Sequence, residues 1–443
     1  MSRARTAQAP ADWPTQGVRA LPPRQSSVEV VLDAAYRALS AAGLRWCLLS
    51  DGSGPGASGA DATILVHPAD VRGVHATLAR QAFVQRSAAH RGASSGLVTY
   101  HEQTGEWVEL DVVTDLAFGP DATLLTDAAA GCLARRRQMG ARFTLSDDDG
   151  FWVRLLDRML DPALVEPEEW TRLRVLASSA RTDGQLAGIV DRACPSGWNA
   201  ARALEALTTG QSQALEALRP LLASSWQRAL GARARVGARV RGWVATTRSV
   251  RARARRGISV ALLGPDGAGK STLALGVGRS YYFPVKCVYM GLWQRSTDRP
   301  SRLNVTGIAW ASRVLKSWRR YAVARFYVAR GYLVIFDRYT FDALLPVGQP
   351  QRKLRRAANW MLAHACPAPD LVFVLDAPGS LMFERKGEHH PEYLEEQRQH
   401  FLRMSERLPN AVAIDATRGE EVLRRAVIDR IWRRVATRAV RVP

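Results

Sequence analysis

The sequence predicts an α/β protein in two parts: a five-stranded parallel sheet in the C-terminal half, preceded by a smaller α/β domain with a helical extension. Three observations predict it. From residue 257 onward, short runs rich in β-branched and aromatic residues recur between helix-patterned segments, with little polar alternation inside each run. Runs of that kind separated by helical crossovers form parallel, doubly wound sheets. Residues 26–145 carry a second, shorter alternation of helical and strand-like patterns, and 146–225 keep only helical spacing.

Taken in order, residues 1–25 are basic and proline-rich but lack the apolar run of a secretory signal, and read as a disordered lead-in. Apolar residues recur at helical spacing over 27–39, and a short apolar run covers 46–49. The Gly/Ser-rich stretch 52–59 is a loop by composition. Strand-like 62–66, helix-like 69–81 and strand-like 96–101 and 107–113 complete the first domain. Residues 226–256 contain ten arginines and no acidic residue, and form an Arg-rich connector. Beyond it, strands are expected at 258–263, 287–290, 333–336, 371–375 and 411–414. Trp310, Trp318, Trp360 and Trp432 fall in helical patterns and are read as core or packing residues.

Composition narrows the function classes. The chain has 443 residues, 47% apolar and 23% charged, which excludes an intrinsically disordered protein. The net charge is +21, yet only five of the 62 basic residues are lysines. So strong an arginine bias, beside abundant Ala, Gly and Val, reads first as composition, with phosphate-bearing partners as the functional reason for the remainder. Nucleic acid or an anionic membrane is a candidate partner for 226–256, though a solvated connector is the favoured reading. The five cysteines are widely spaced with no CxxC, which excludes a disulfide scaffold and a zinc ribbon. No apolar run is long enough to span a bilayer, so a cytoplasmic protein is expected.

One motif carries chemistry. Gly264, Pro265, Asp266, Gly267, Ala268, Gly269, Lys270, Ser271 and Thr272 satisfy GxxxxGK(S/T), after the strand-like ISVALL and before a helix-like run. Glycines let backbone N–H groups close on phosphate oxygens, and a helix N-terminus adds its positive dipole end. Lys270 is then placed for the β- and γ-phosphates and the Ser271 hydroxyl for Mg²⁺, which points to a nucleoside triphosphate site. No NKxD follows, which argues against a GTPase. Asp337 and Arg338 close the apolar strand YLVIF, where open α/β sheets bind ligands; a carboxylate there can hold the metal and the arginine can clamp a phosphoryl group.

GPDGAGKST, the strand-ending Asp337-Arg338-Tyr339, and PDLVFVLDAP followed by ERKGEHHPEYLEEQR together resemble the thymidylate kinase family of P-loop nucleoside monophosphate kinases, over roughly residues 257–440. The resemblance implies ATP and Mg²⁺ as cofactors and a small-molecule phosphoryl acceptor. It implies that Asp266 helps place the acceptor's sugar, that Asp337 and Arg338 act on acceptor phosphate and metal, and that Arg385 and Lys386 belong to a basic lid over ATP. Where the family carries Arg-Glu-Pro-Gly, this chain reads VYMGLWQRSTDRP, so the acceptor is left unassigned. Trp293, Arg295, Arg299, Arg319 and Arg320 lie where an acceptor could be bound, though a solvated face is the favoured reading of each.

The N-terminal domain resembles, more weakly, the nucleotidyltransferase fold, through the strand Asp61-Ala62-Thr63 and the later Glu109-Leu110-Asp111. That family holds two Mg²⁺ ions on three carboxylates; Thr63 stands in for one of them, so this domain is expected to be inactive. The sequence-based expectation is therefore an ATP-dependent kinase. The alternatives are a non-catalytic ATP-binding regulator or an Arg-rich tether, and a homodimer is compatible with either.

Overall fold

A computed structural model describes residues 27–50, 61–86, 95–119, 124–160, 167–229, 256–291, 306–345, 353–408 and 410–440. The lead-in, the 52–59 loop, connector residues 230–255, and Trp293, Arg295 and Arg299 lie outside the described residues.

The first half opens with α1 (Ser27–Ala41), β1 (Trp46–Ser50), β2 (Asp61–Val66), α2 (Val71–Arg80), β3 (Val84–Arg86), β4 (Ser95–His101) and β5 (Glu106–Val113). A small ribbon of β6 (Ala117–Phe118) and β7 (Leu124–Leu125), then α3 (Ala129–Ala134) and the hairpin β8 (Arg137–Met139) and β9 (Arg142–Thr144), complete it. Seven of these strands form a mixed sheet in the order β3-β4-β5-β2-β1-β9-β8. Its period-2 alternation sorts the two faces. Ala62, Ile64 and Val66 of β2 and Val108, Leu110 and Val112 of β5 share a core with Leu32, Tyr36 and Leu39 of α1. Thr63 and its partner Asp111 belong to the other set of positions.

Five helices follow: α4 (Asp147–Leu160), α5 (Pro167–Ala177), α6 (Gln185–Ala193), α7 (Ala200–Thr208) and α8 (Ser212–Ala229). Their apolar stripes close on Phe151, Trp152, Leu156, Leu207, Leu218 and Trp226, in a core they share with Cys47, Leu65, Val113 and Phe118 of the first sheet and its ribbon and with Cys132 and Leu133 of α3.

The second half runs β10 (Ile258–Leu263), α9 (Lys270–Ser280), β11 (Val285–Tyr289), α10 (Thr306–Ala329), β12 (Leu333–Asp337), α11 (Lys353–Ala363), β13 (Leu371–Asp376), α12 (Gly379–Lys386), α13 (Pro391–Arg407), β14 (Ala411–Asp415) and α14 (Glu420–Val440). The five strands form one sheet, order β11-β12-β10-β13-β14, and every pairing is parallel. All six residues of β10 are buried, as a central strand covered on both faces requires. Ile258, Val260 and Leu262 face Val427, Ile431 and Trp432 of α14. Ala261 and Leu263 face Ala324 and Val328 of α10 and Phe401 of α13.

The halves share a core. Val84, Val98 and Tyr100 of the first sheet pack into the cluster that contains Trp432. Trp107 lies edge-on to Trp432 at 4.9 Å between ring centroids, and its Nε1 donates to the Ser280 carbonyl at 2.9 Å. Trp432 Nε1 donates to the Ala82 carbonyl at 2.9 Å, and Tyr282 Oη donates to Glu109 at 2.7 Å.

One expectation needs correction. Trp432 is core, but Trp318 and Trp360 are exposed at 47% and 58%: Trp318 stands on the side of α10 away from the sheet, and α11 packs through Leu362 and Ala363 against Ala343 and not through Trp360. Cys287 is exposed although Cys47, Cys132 and Cys366 are buried, since β11 is an edge strand. No described helix is long and apolar enough to cross a membrane.

Candidate active site

The loop 264–269 leaves the C-terminal end of β10 and enters α9 at Lys270. Gly267 sits at φ +87°, and a Cβ there would stand 2.3 Å from the Met382 carbonyl oxygen of α12. Only glycine fits a left-handed position pressed so closely on another backbone. Ala268 is buried beneath the loop, while Ser271 and Thr272 in the first turn of α9 are exposed.

Lys270 is 7% exposed, and its surroundings are polar. Its Nζ donates to the carbonyls of Gly264 at 2.8 Å and Pro265 at 2.7 Å and lies 3.9 Å from Asp266. Burial, reinforced by the Arg338 charge, pushes its pKa down to about 8 against the pull of Asp266, Asp342 and Asp337.

β12 delivers the next pair. Asp337 ends the strand directly beside Leu262 of β10, and the Arg338 N–H donates to the Leu262 carbonyl at 3.2 Å. Arg338 has φ +66°, a conformation that costs a non-glycine residue about 1–2 kcal/mol and that collects at functional sites. The turn aims the guanidinium at the loop: Nη2 lies 2.5 Å from Asp266 and Nη1 3.5 Å from Asp342. Asp337 enters no ion pair among the described residues. On the other flank of β10, Asp376 of β13 is bound by Arg398.

Asp266 is the hub. Burial alone would raise its pKa, but Arg338, Lys270 and Lys386 outweigh it and hold the carboxyl below its ordinary range. Lys386 Nζ lies 3.9 Å from Asp266 and 3.0 Å from Glu388. Arg385, one residue earlier, points elsewhere and donates to the Ala416 carbonyl at 3.2 Å. The structure thus gathers Asp266, Lys270, Arg338 and Lys386, with Asp337 at the same sheet edge, and leaves Arg385 outside that cluster. Arg320 donates to the Gly291 carbonyl just past β11 at 3.3 Å. Arg319 lines a cavity on α10.

Sequence reasoning missed Asp342. It lies in the 3-10 turn Thr340–Leu344, is 4% exposed, and neither carboxylate oxygen has a hydrogen bond. Burial raises its pKa to about 6, against the lowering pull of Arg338 and Lys270. Its spacing of four from Arg338 is the one signal the sequence offered.

In the first half, the carboxylates of β5 meet a cation. Arg86 Nη2 lies 2.6 Å from Asp111, and Nη1 pairs with Glu109. Arg86 crosses over Gly96, where a Cβ would stand 2.3 Å from Nε, so the arginine needs a glycine on the neighbouring strand. No group of three or more His, Cys, Asp or Glu side chains placed to hold a metal occurs among the described residues.

No protein-family model and no curated protein matches the chain.

Proposed function

We propose that the C-terminal half is an ATP-dependent phosphotransferase of the thymidylate or nucleoside monophosphate kinase type. One observation carries the reading: a buried lysine at the start of α9 is held on the carbonyls of a glycine loop, opposite an arginine kept at φ +66° on the adjacent strand. A lysine and an arginine at the C-terminal edge of a parallel sheet suit the two ends of a phosphoryl transfer.

The residues fit ATP with Mg²⁺. Gly267 leaves the loop without a side chain where a triphosphate would lie against backbone N–H groups. The exposed Ser271 hydroxyl and the Asp337 carboxylate would hold Mg²⁺, which accepts one or two protein oxygens when phosphates supply the rest. When bound, that ion supplies charge neutralisation on the β- and γ-oxygens. Lys270 would leave the Gly264 and Pro265 carbonyls for those same oxygens. Arg338, braced by Asp266 and Asp342, would hold the acceptor side. The P–O bond from the β-phosphate oxygen to the γ-phosphorus breaks, a bond from the acceptor oxygen forms, and ADP leaves. In the N-terminal domain we read Arg86 as occupying the place of a cation between Glu109 and Asp111, which supports a nucleotidyltransferase-like fold without that activity.

One contact favours a second reading. α9 begins at the loop and ends at Ser280, which Trp107 of the first half grips, so nucleotide occupancy can be communicated between the halves without turnover. Incubation with Mg·ATP and a panel of nucleoside monophosphates and other hydroxyl or phosphate acceptors separates the two. Acceptor-dependent ADP, reduced about a hundredfold or more by Lys270→Ala, is expected. Tight ATP binding with no acceptor-dependent turnover would replace the kinase by the regulator.

A further inference from the structure

The outer face of α10 is built unlike that of an ordinary surface helix. Its inner face, with Ser317, Ala324 and Val328, is buried toward the sheet. Yet Ala311, Leu315, Trp318, Ala322, Phe326 and Ala329, at helical spacings of three and four, make a second apolar stripe on the opposite side. Leu315 is 72% exposed, Phe326 56% and Trp318 47%. A helix that is apolar on both sides is normally buried on both.

Charge narrows what can cover it. No acidic residue occurs between Asp298 and Asp337. Lys316, Arg319, Arg325 and Arg330 are exposed alongside the stripe. Leu315, Lys316, Arg319 and Arg320 line a cavity of about 360 Å³. A second copy docked through this helix would set cation against cation with no carboxylate of the helix between them. A nucleic acid would use the cations but has no use for an exposed Leu and Phe. An anionic bilayer uses both, taking aromatic and aliphatic side chains at the acyl boundary and phosphate headgroups on the cations. The neighbouring α11 meets α10 where Trp310 Nε1 donates to the Ala358 carbonyl, and it too lacks acidic residues and exposes Trp360 and Met361.

We propose that the outer face of α10 is a peripheral docking surface for anionic lipid, with Leu315, Trp318 and Phe326 entering the interface and Lys316 and Arg319 binding headgroup phosphate. The surface is independent of the phosphotransferase reading, and Lys270→Ala leaves it intact.

The test is flotation of the full chain with vesicles of phosphatidylcholine alone and of phosphatidylcholine mixed with phosphatidylglycerol. Binding to the mixed vesicles only is expected. Leu315→Ser/Phe326→Ser and Lys316→Gln/Arg319→Gln should each weaken it roughly tenfold or more, given what each basic residue contributes near an anionic surface. All four positions are exposed on the helix, and an unchanged far-UV circular dichroism spectrum verifies that the variants fold. Failure to bind mixed vesicles overturns the proposal. So does binding that ignores both variants, which would assign it to another basic segment. A solution dimer that Leu315→Ser/Phe326→Ser converts to monomer would give the face to a second copy. Duplex DNA binding lost with Lys316→Gln/Arg319→Gln, without vesicle binding, would give it to nucleic acid.

Discussion

Arg338 and Asp266 meet at 2.5 Å across the C-terminal edge of the parallel sheet, one from the end of β12 and the other from the loop after β10. The contact fixes a guanidinium whose backbone is already held in the left-handed region. Its planar fork also reaches Asp342, a geometry a point-charge ammonium does not reproduce. Arg338→Lys is therefore expected to lower acceptor-dependent turnover by about ten- to a hundredfold while leaving ATP affinity within about threefold. Steady-state kinetics beside equilibrium nucleotide binding checks the split; equal losses in both would place Arg338 on the ATP side.

Asp342 predicts a pH dependence of stability. Its folded pKa is raised to about 6 from an ordinary 3.8, so the folded protein binds the proton more tightly than the unfolded chain. The stabilisation is full below 3.8 and is lost as pH rises through 6. Asp342→Asn removes a buried charge while Arg338 keeps Asp266 as partner. The variant should be more stable than the parent at pH 7.5, with the gap closing toward pH 4, in urea denaturation followed across that range. A variant less stable at neutral pH would mean that the Arg338 pairing outweighs the burial.

Gly267→Ala tests the loop. The added methyl would stand 2.3 Å from the Met382 carbonyl at a φ that L residues avoid, so the loop must move. Nucleotide affinity is expected to fall at least about tenfold with a small change in thermal midpoint, because the strained loop lies at the edge of the core. Calorimetric titration with ATP reads the first quantity and a melting curve the second.

The parallel sheet was largely legible because its chemistry repeats: every strand from β10 to β14 is a short apolar run, and the expected bounds differ from the observed ones by at most two residues. The short strands β3, β6, β7, β8 and β9 were not, since two or three residues show no period. The glycine loop announced itself by spacing, whereas Asp342 did not. A lone aspartate four residues after an arginine looks like any exposed ion pair until the fold buries it. Trp318 and Trp360 failed in the opposite direction: helical spacing gives a side chain's face but does not say which face meets the sheet.

Arg86 supplies a stability prediction. Its side chain is 7% exposed and serves two carboxylates, so Arg86→Met leaves Glu109 and Asp111 partly buried without their cation. A loss of about 3–5 kcal/mol is expected by chemical denaturation. Adding Asp111→Leu should restore part of it, whereas no recovery would show that the arginine acts through packing alone.

Trp107, Tyr282 and Trp432 bind the two halves by their rings and by hydrogen bonds across the seam, the tryptophans to opposite backbone carbonyls and Tyr282 to the Glu109 carboxylate. Neither half is thus a detachable cassette. A chain severed between residues 230 and 255 should copurify as a nicked pair, and the sequences on the two sides of that seam must drift in step. Transplanting the C-terminal half into another protein would expose a raw aromatic scar.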